Sequence, residues 1–156
     1  MKHPHVVLFA FDDWLGNQLR EFVAERKWVL REVRQVAGWL TAAAERRPCV
    51  AVIQADFTSE RPTALKAVAE LHGLNSDTDV VVVSDTKLSD DDRPGWTAAA
   101  LDLGARLVLY PPLTRAVLED AVSGLMDARV KRSPVPPRPA PATEIDLATG
   151  EYEADE

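Results

Sequence analysis

Four consecutive valines, at positions 80–83, stand between Asp79 and Ser84. A run without polar alternation suits a strand covered on both faces, as in the middle of a parallel sheet. Parallel neighbours are joined by crossovers of a dozen residues or more, usually helical. The flanking sequence fits that demand. Apolar runs at 5–10, 28–33, 50–53 and 105–110 read as further strands. The 28–33 run includes Arg31 and Glu32 and therefore belongs nearer an edge. Between these runs, apolar residues recur at helical spacing. The first such set is Leu15, Leu19, Phe22 and Val23, followed by Val36 and Leu40, then Leu65, Val68 and Leu71. Residues 96–103 form a fourth helix, closed by Gly104. Thr114 is placed to cap a fifth, which carries Val117, Leu118, Val122, Leu125 and Met126 on one face.

Strands alternating with helices imply a parallel sheet with helices on both sides. In such sheets the functional crevice lies beyond the carboxyl ends of the strands. Those ends are residues 11–13, 54–56, 84–85 and 110–111, distant in sequence and convergent in space. Trp14, Trp39 and Trp96 lie on different predicted helices, and each is a candidate for the core. Trp14 and Trp96 also adjoin the crevice end.

The βα pattern occupies residues 1–130. Residues 131–156 are different in kind. Five prolines fall within 133–141, and six acids (Glu144, Asp146, Glu151, Glu153, Asp155, Glu156) stand against Lys131, Arg132 and Arg138. Such a tail has little to bury and is expected to be disordered. The chain's net charge of -7 disfavours broad contact with nucleic acid or anionic lipid. One cysteine, Cys49, excludes an intramolecular disulfide and reads as a small core residue. The short apolar start is followed at once by Asp12 and Asp13, so neither a signal peptide nor a membrane span is expected. A cytoplasmic location follows by default. No glycine falls in a phosphate-loop spacing, and three histidines do not support a catalytic triad.

Several marks in order resemble the receiver domain of two-component response regulators. An acidic pair, Asp12-Asp13, follows the first strand. Ser84 ends the fourth, Gly104-Ala105 precedes the fifth, and Pro112 follows it. The resemblance covers about residues 4–130. It implies a flavodoxin-like (βα)5 three-layer sandwich with a five-stranded parallel sheet in the order 2-1-3-4-5. It also implies a cis peptide between Pro111 and Pro112, because the corresponding lysine–proline bond in receivers is usually cis.

The departures bear on function. In receivers an aspartate at the end of the third strand accepts a phosphoryl group, and this alignment puts Gln54 there. Pro111 falls where the family has a lysine. Counting back from Leu15 and Leu19 places Phe11 and Asp12 at the acidic-pair positions, with Asp13 one residue late. Acyl phosphate formation needs a carboxylate nucleophile, and Mg²⁺ needs several hard oxygen ligands. A primary amide and a proline supply neither a nucleophile nor a cation. Asp12, Asp13, Gln54, Asp56, Ser84 and Pro111 thus read as a degenerate phosphorylation pocket without a catalytic residue or bound metal. Asp56 is the rival acceptor, with Asp12 or Asp13 holding Mg²⁺; its plainer reading is a loop or capping acid. A small-molecule pocket in the crevice is a third possibility.

The leading expectation is a non-enzymatic signalling domain that works by protein contact without aspartate phosphorylation and without a cofactor. The resemblance points to the face of the fourth helix, fifth strand and fifth helix for a protein partner or self-association. Tyr110, Val108, Leu113 and Val117 are the candidate switch or interface residues there.

Overall fold

The computed structural model describes residues 3–11, 13–45, 48–58, 63–75 and 77–132. Ten elements alternate along them: β1 (His5–Phe9), α1 (Trp14–Glu25), β2 (Val29–Val33), α2 (Val36–Ala43), β3 (Cys49–Ala55), α3 (Thr63–Leu74), β4 (Asp79–Ser84), α4 (Arg93–Asp102), β5 (Leu107–Leu109) and α5 (Arg115–Arg132). All strand pairs are parallel and their order is β2-β1-β3-β4-β5. This is the expected flavodoxin-like arrangement, with β2 at one edge.

The valine run is explained by parity. Val80 and Val82 enter one hydrophobic cluster with Trp39, Val68, Leu71 and Ala100, drawn from α2, α3 and α4. Val81 and Val83 enter another with Leu15, Leu19, Leu118 and Met126 of α1 and α5. Successive side chains of a strand point to opposite faces, so only a strand sandwiched between two helical layers can bury all four. The same holds for β3, whose seven residues are all buried. Burying one such aliphatic side chain fully contributes about 1.5–3 kcal/mol.

Local signals set the helix ends. At the end of α1, Trp28 N–H donates to Val23 O and Lys27 N–H to Ala24 O, both at 3.0 Å. This is the Schellman pattern, and Lys27 takes the left-handed conformation it requires, with φ 60°. Thr114 caps α5 as expected, its Oγ1 accepting from Val117 N–H at 3.2 Å. Gly104 has φ 118°, and a Cβ there would lie 2.8 Å from the His72 ring, so the turn before β5 needs glycine twice over.

Some boundaries differ from expectation. Apolar spacing marks α4 only from residue 96, but the helix starts at Arg93, as Asp92-Arg93-Pro94 suits, with Pro94 in its first turn. Asp92 holds the N-cap position but makes no side-chain capping bond; its carboxylate instead accepts from the Ser89 hydroxyl at 3.0 Å. α5 includes Lys131 and Arg132, the first two residues assigned to the tail, while 133–156 lie outside the described residues. Cys49 is buried. Among the described residues no helix is long and apolar enough to cross a membrane.

Candidate functional site

Gln54 continues the parity of Val50 and Val52, so it faces the α1/α5 side at the carboxyl end of β3. Its residue is 4% exposed, and both ends of the amide are engaged. Oε1 accepts from the Phe11 backbone N–H at 2.7 Å, and Nε2 donates to Asp85 Oδ1 at 3.0 Å. The loop after β1 is thereby tied to the loop after β4. A carboxylate accepts only, whereas an amide satisfies one donor and one acceptor together. Glutamine is therefore suited to this place rather than merely tolerated in it.

Above Gln54 lies a shallow crevice of about 230 Å³, lined by Trp14, Val83, Ser84, Asp85, Pro111 and Leu113. Trp14 remains 40% exposed at its edge. The buried Ser84 hydroxyl is committed locally: it donates to Thr86 O at 2.6 Å and accepts from Thr86 N–H at 3.1 Å. Asp85 is held between these two residues, and its own N–H donates to Ala55 O at 2.8 Å. The Pro111–Pro112 peptide is cis, as the resemblance implied.

Of the described candidate residues the crevice gathers Gln54, Ser84, Pro111 and Leu113, but neither Asp13 nor Asp56. Asp13 is ion-paired with Arg34, which follows β2, and Arg34 also donates to Ala10 O at 2.9 Å. That pairing directs the Asp13 carboxylate to an exposed position outside the crevice lining. Asp12 lies outside the described residues.

β3 ends at Ala55, one residue before alternation would carry Asp56 into the crevice. Asp56 Oδ1 instead accepts from Thr58 N–H at 2.9 Å and from the Thr58 hydroxyl. These bonds, the hydroxyl's first, hold the Asp56 carboxyl below its ordinary value of 3.8. A depressed value means the Thr58 contact helps stability above the ordinary titration range and ceases to do so as pH falls through the lowered value. In Thr58→Val, an NMR titration of Asp56 is expected to show its midpoint rising toward 3.8. Among the described residues no group of three or more His, Cys, Asp or Glu side chains is arranged to hold a metal ion.

Tyr110 turns toward α4. Its hydroxyl pairs with Thr97 Oγ1 at 2.8 Å and donates to Arg93 O at 3.1 Å. The Arg93 guanidinium lies 5.5 Å from its ring centroid. Arg93 also reaches Leu88 O at 3.3 Å and Pro111 O at 3.4 Å. Val108 is half-buried against the α2–α4 cluster and Leu113 against the α1/α5 cluster, leaving Val117 the exposed member of the four interface candidates, at 43%. Sequence reasoning placed residues 84–85 at the crevice end without giving Asp85 a role, and it missed the contributions of Arg93 and Arg34. The role of Asp85 was the discoverable one, since the residue directly follows Ser84 at a strand end.

No protein-family model matches the chain, and no curated protein matches its sequence. Solved structures do. The signal receiver domain of a putative LuxO repressor protein from Vibrio parahaemolyticus superposes with TM-score 0.66 at 14% identity, over 88% of this chain and 100% of that one. HP1043, an orphan response regulator of H. pylori, gives 0.61 at 15% identity, over 79% and 96%. A member of a family of redox sensors in the streptococci, described as evolved from two-component response regulators, gives 0.62 at 12% identity, over 82% of this chain and 53% of that one. Together with the strand order and the crevice geometry, these likenesses show that the chain has the receiver fold of two-component response regulators.

Proposed function

We propose that this chain is a cytoplasmic, non-catalytic signalling domain that acts through protein contacts without phosphorylation of an aspartate. The observation that carries this reading is the two-ended hydrogen bonding of Gln54 to Phe11 and Asp85. The amide occupies the position aligned with the phosphoacceptor, offers no carboxylate nucleophile, and makes a cross-link that needs no ligand. Pro111 supplies no cation for a phosphoryl group, and the exposed Asp13 carboxylate is ion-paired with Arg34. Neither Mg²⁺ nor another cofactor has a part in this reading. Contact with a protein partner or a second copy is assigned to the face of α4, β5 and α5, where Leu101 and Val117 stand exposed. A chemically ordinary receiver would present an open carboxylate in the crevice instead.

The test is incubation of the full chain with Mg²⁺ and acetyl phosphate, read by intact-mass spectrometry. No acid-labile, hydroxylamine-sensitive adduct is expected. An adduct that disappears in Asp56→Asn overturns the reading and makes Asp56 the acceptor.

A further inference from the structure

Three polar side chains line the crevice, and two of them are fully committed. Both ends of the Gln54 amide are bonded, and the Ser84 hydroxyl donates to and accepts from Thr86. Asp85 is different. Its Oδ1 accepts from Gln54 Nε2 at 3.0 Å, and its backbone N–H is fixed on Ala55 O. A carboxylate has about four acceptor positions, so most of its capacity remains. Among the described residues no cation is ion-paired with it. The rest of the lining is apolar or aromatic: Trp14, Val83, Pro111 and Leu113. Trp14 keeps 40% of its surface exposed.

A guest here must bring a donor for Asp85 and apolar surface for everything else. A charged N–H suits an ionised carboxylate best, and an indole ring attracts the same cation. An anion meets the Asp85 charge directly. Mg²⁺ needs several hard oxygens, and the crevice offers one carboxylate. Volume limits the size. The 230 Å³ of the crevice equals about eight waters, which suits a body of roughly eight to ten non-hydrogen atoms. From this we infer that the crevice binds a small arylalkylammonium ion. The ammonium sits on Asp85, and the ring lies against Trp14, Pro111 and Leu113. Gln54 is then a positioning residue, holding Asp85 toward the guest. The inference rests on the preceding reading in one respect, that this end of the sheet takes no phosphoryl group. For a guest of about nine atoms the affinity is modest, with Kd about 0.1–1 mM.

The experiment titrates the full chain with three probes of nearly one shape and follows it by NMR. The probes are phenethylammonium, neutral 2-phenylethanol and anionic phenylacetate. The signals read are the Trp14 indole N–H, the Gln54 side-chain amide and the Asp85 backbone N–H. Phenethylammonium is expected to shift all three saturably. The alcohol should bind about five- to tenfold more weakly, the difference between a charge-assisted and a neutral hydrogen bond. Phenylacetate should leave the signals in place. Asp85→Asn keeps the acceptor for Gln54 and removes the charge, so it should weaken the ammonium by a similar factor and abolish its advantage over the alcohol. Trp14→Leu should cost about two- to fivefold. No saturable shift, equal affinity for the three probes, or unchanged ammonium binding in Asp85→Asn overturns the inference. So does Mg²⁺ alone reproducing the shifts, which marks a metal site. The three-probe comparison needs only the native chain and holds whatever the variants do. A failed titration leaves the phosphodonor result standing, whereas an adduct on Asp56 overturns the earlier reading whichever probe binds.

Discussion

Gln54→Asp is expected to lose about 2–3 kcal/mol of folding stability at neutral pH and to gain no phosphotransfer. The substitution restores the residue type that a receiver uses, so the naive expectation is a gain of function. The geometry argues otherwise. The side chain sits at 4% exposure and spans from Phe11 to Asp85. Aspartate is one methylene shorter and carries no donor, so the bond to Asp85 is replaced by two facing carboxylates. Burial and a like charge both raise the introduced group above the ordinary aspartate value of about 3.9. A raised value fixes the sign of the pH dependence: its contribution to stability is intact below the unfolded-state value and lost as pH rises through the folded-state value. The deficit relative to the native chain should therefore be full at pH 7 and shrink as pH falls toward 4. Chemical denaturation at several pH values measures it. With acetyl phosphate and Mg²⁺ the variant should remain unmodified, because Pro111 still provides no cation and Asp13 is still held by Arg34. A stable variant that takes up a phosphoryl group would show the site to be one substitution from working, contrary to a site rebuilt around an amide.

The fold was legible because its strongest signals are periodic. Four adjacent valines are compatible with few environments, and the two clusters that receive them by parity are the two faces of the sheet. The mixed pattern of residues 28–33 marked an edge strand, and β2 pairs with β1 alone. Much of the crevice was legible too, since strand ends in a parallel sheet converge wherever they lie in the chain. What could not be read was the destination of each polar side chain. Gln54 binds residues 43 and 31 positions away, and nothing local encodes either partner. Asp13 looked like a crevice acid by its neighbours in sequence, but Arg34, supplied 21 positions later, decides where its carboxylate goes. Asp56 turned on a single residue. The strand stops at Ala55, and Thr58 completes a local clip in place of one more step of alternation.

Trp39→Ala is expected to cost the most of any single substitution, about 3–5 kcal/mol, as for other fully buried aromatic truncations. The residue is 0% exposed and stands in the cluster that joins α2 to β3 and α3. Its indole Nε1 donates to Val52 O at 3.1 Å, from a helix to the backbone of a central strand. Truncation removes that bond and leaves a cavity in the cluster shared by α2, β3 and α3, which strand and helix backbones prevent from collapsing. Trp39→Phe separates the two contributions. It retains most of the volume and loses the donor, so its cost should fall to about 1–2 kcal/mol. The comparison also tests how the molecule is assembled. Val52 lies on the strand that delivers Gln54 to the crevice, two residues upstream on the same parity. If Trp39 positions β3, hydrogen exchange at Phe11 and Asp85 should quicken in Trp39→Phe even while the chain stays folded. If exchange there is unchanged, α2 merely covers the sheet, and the Gln54 cross-link is set by its own contacts.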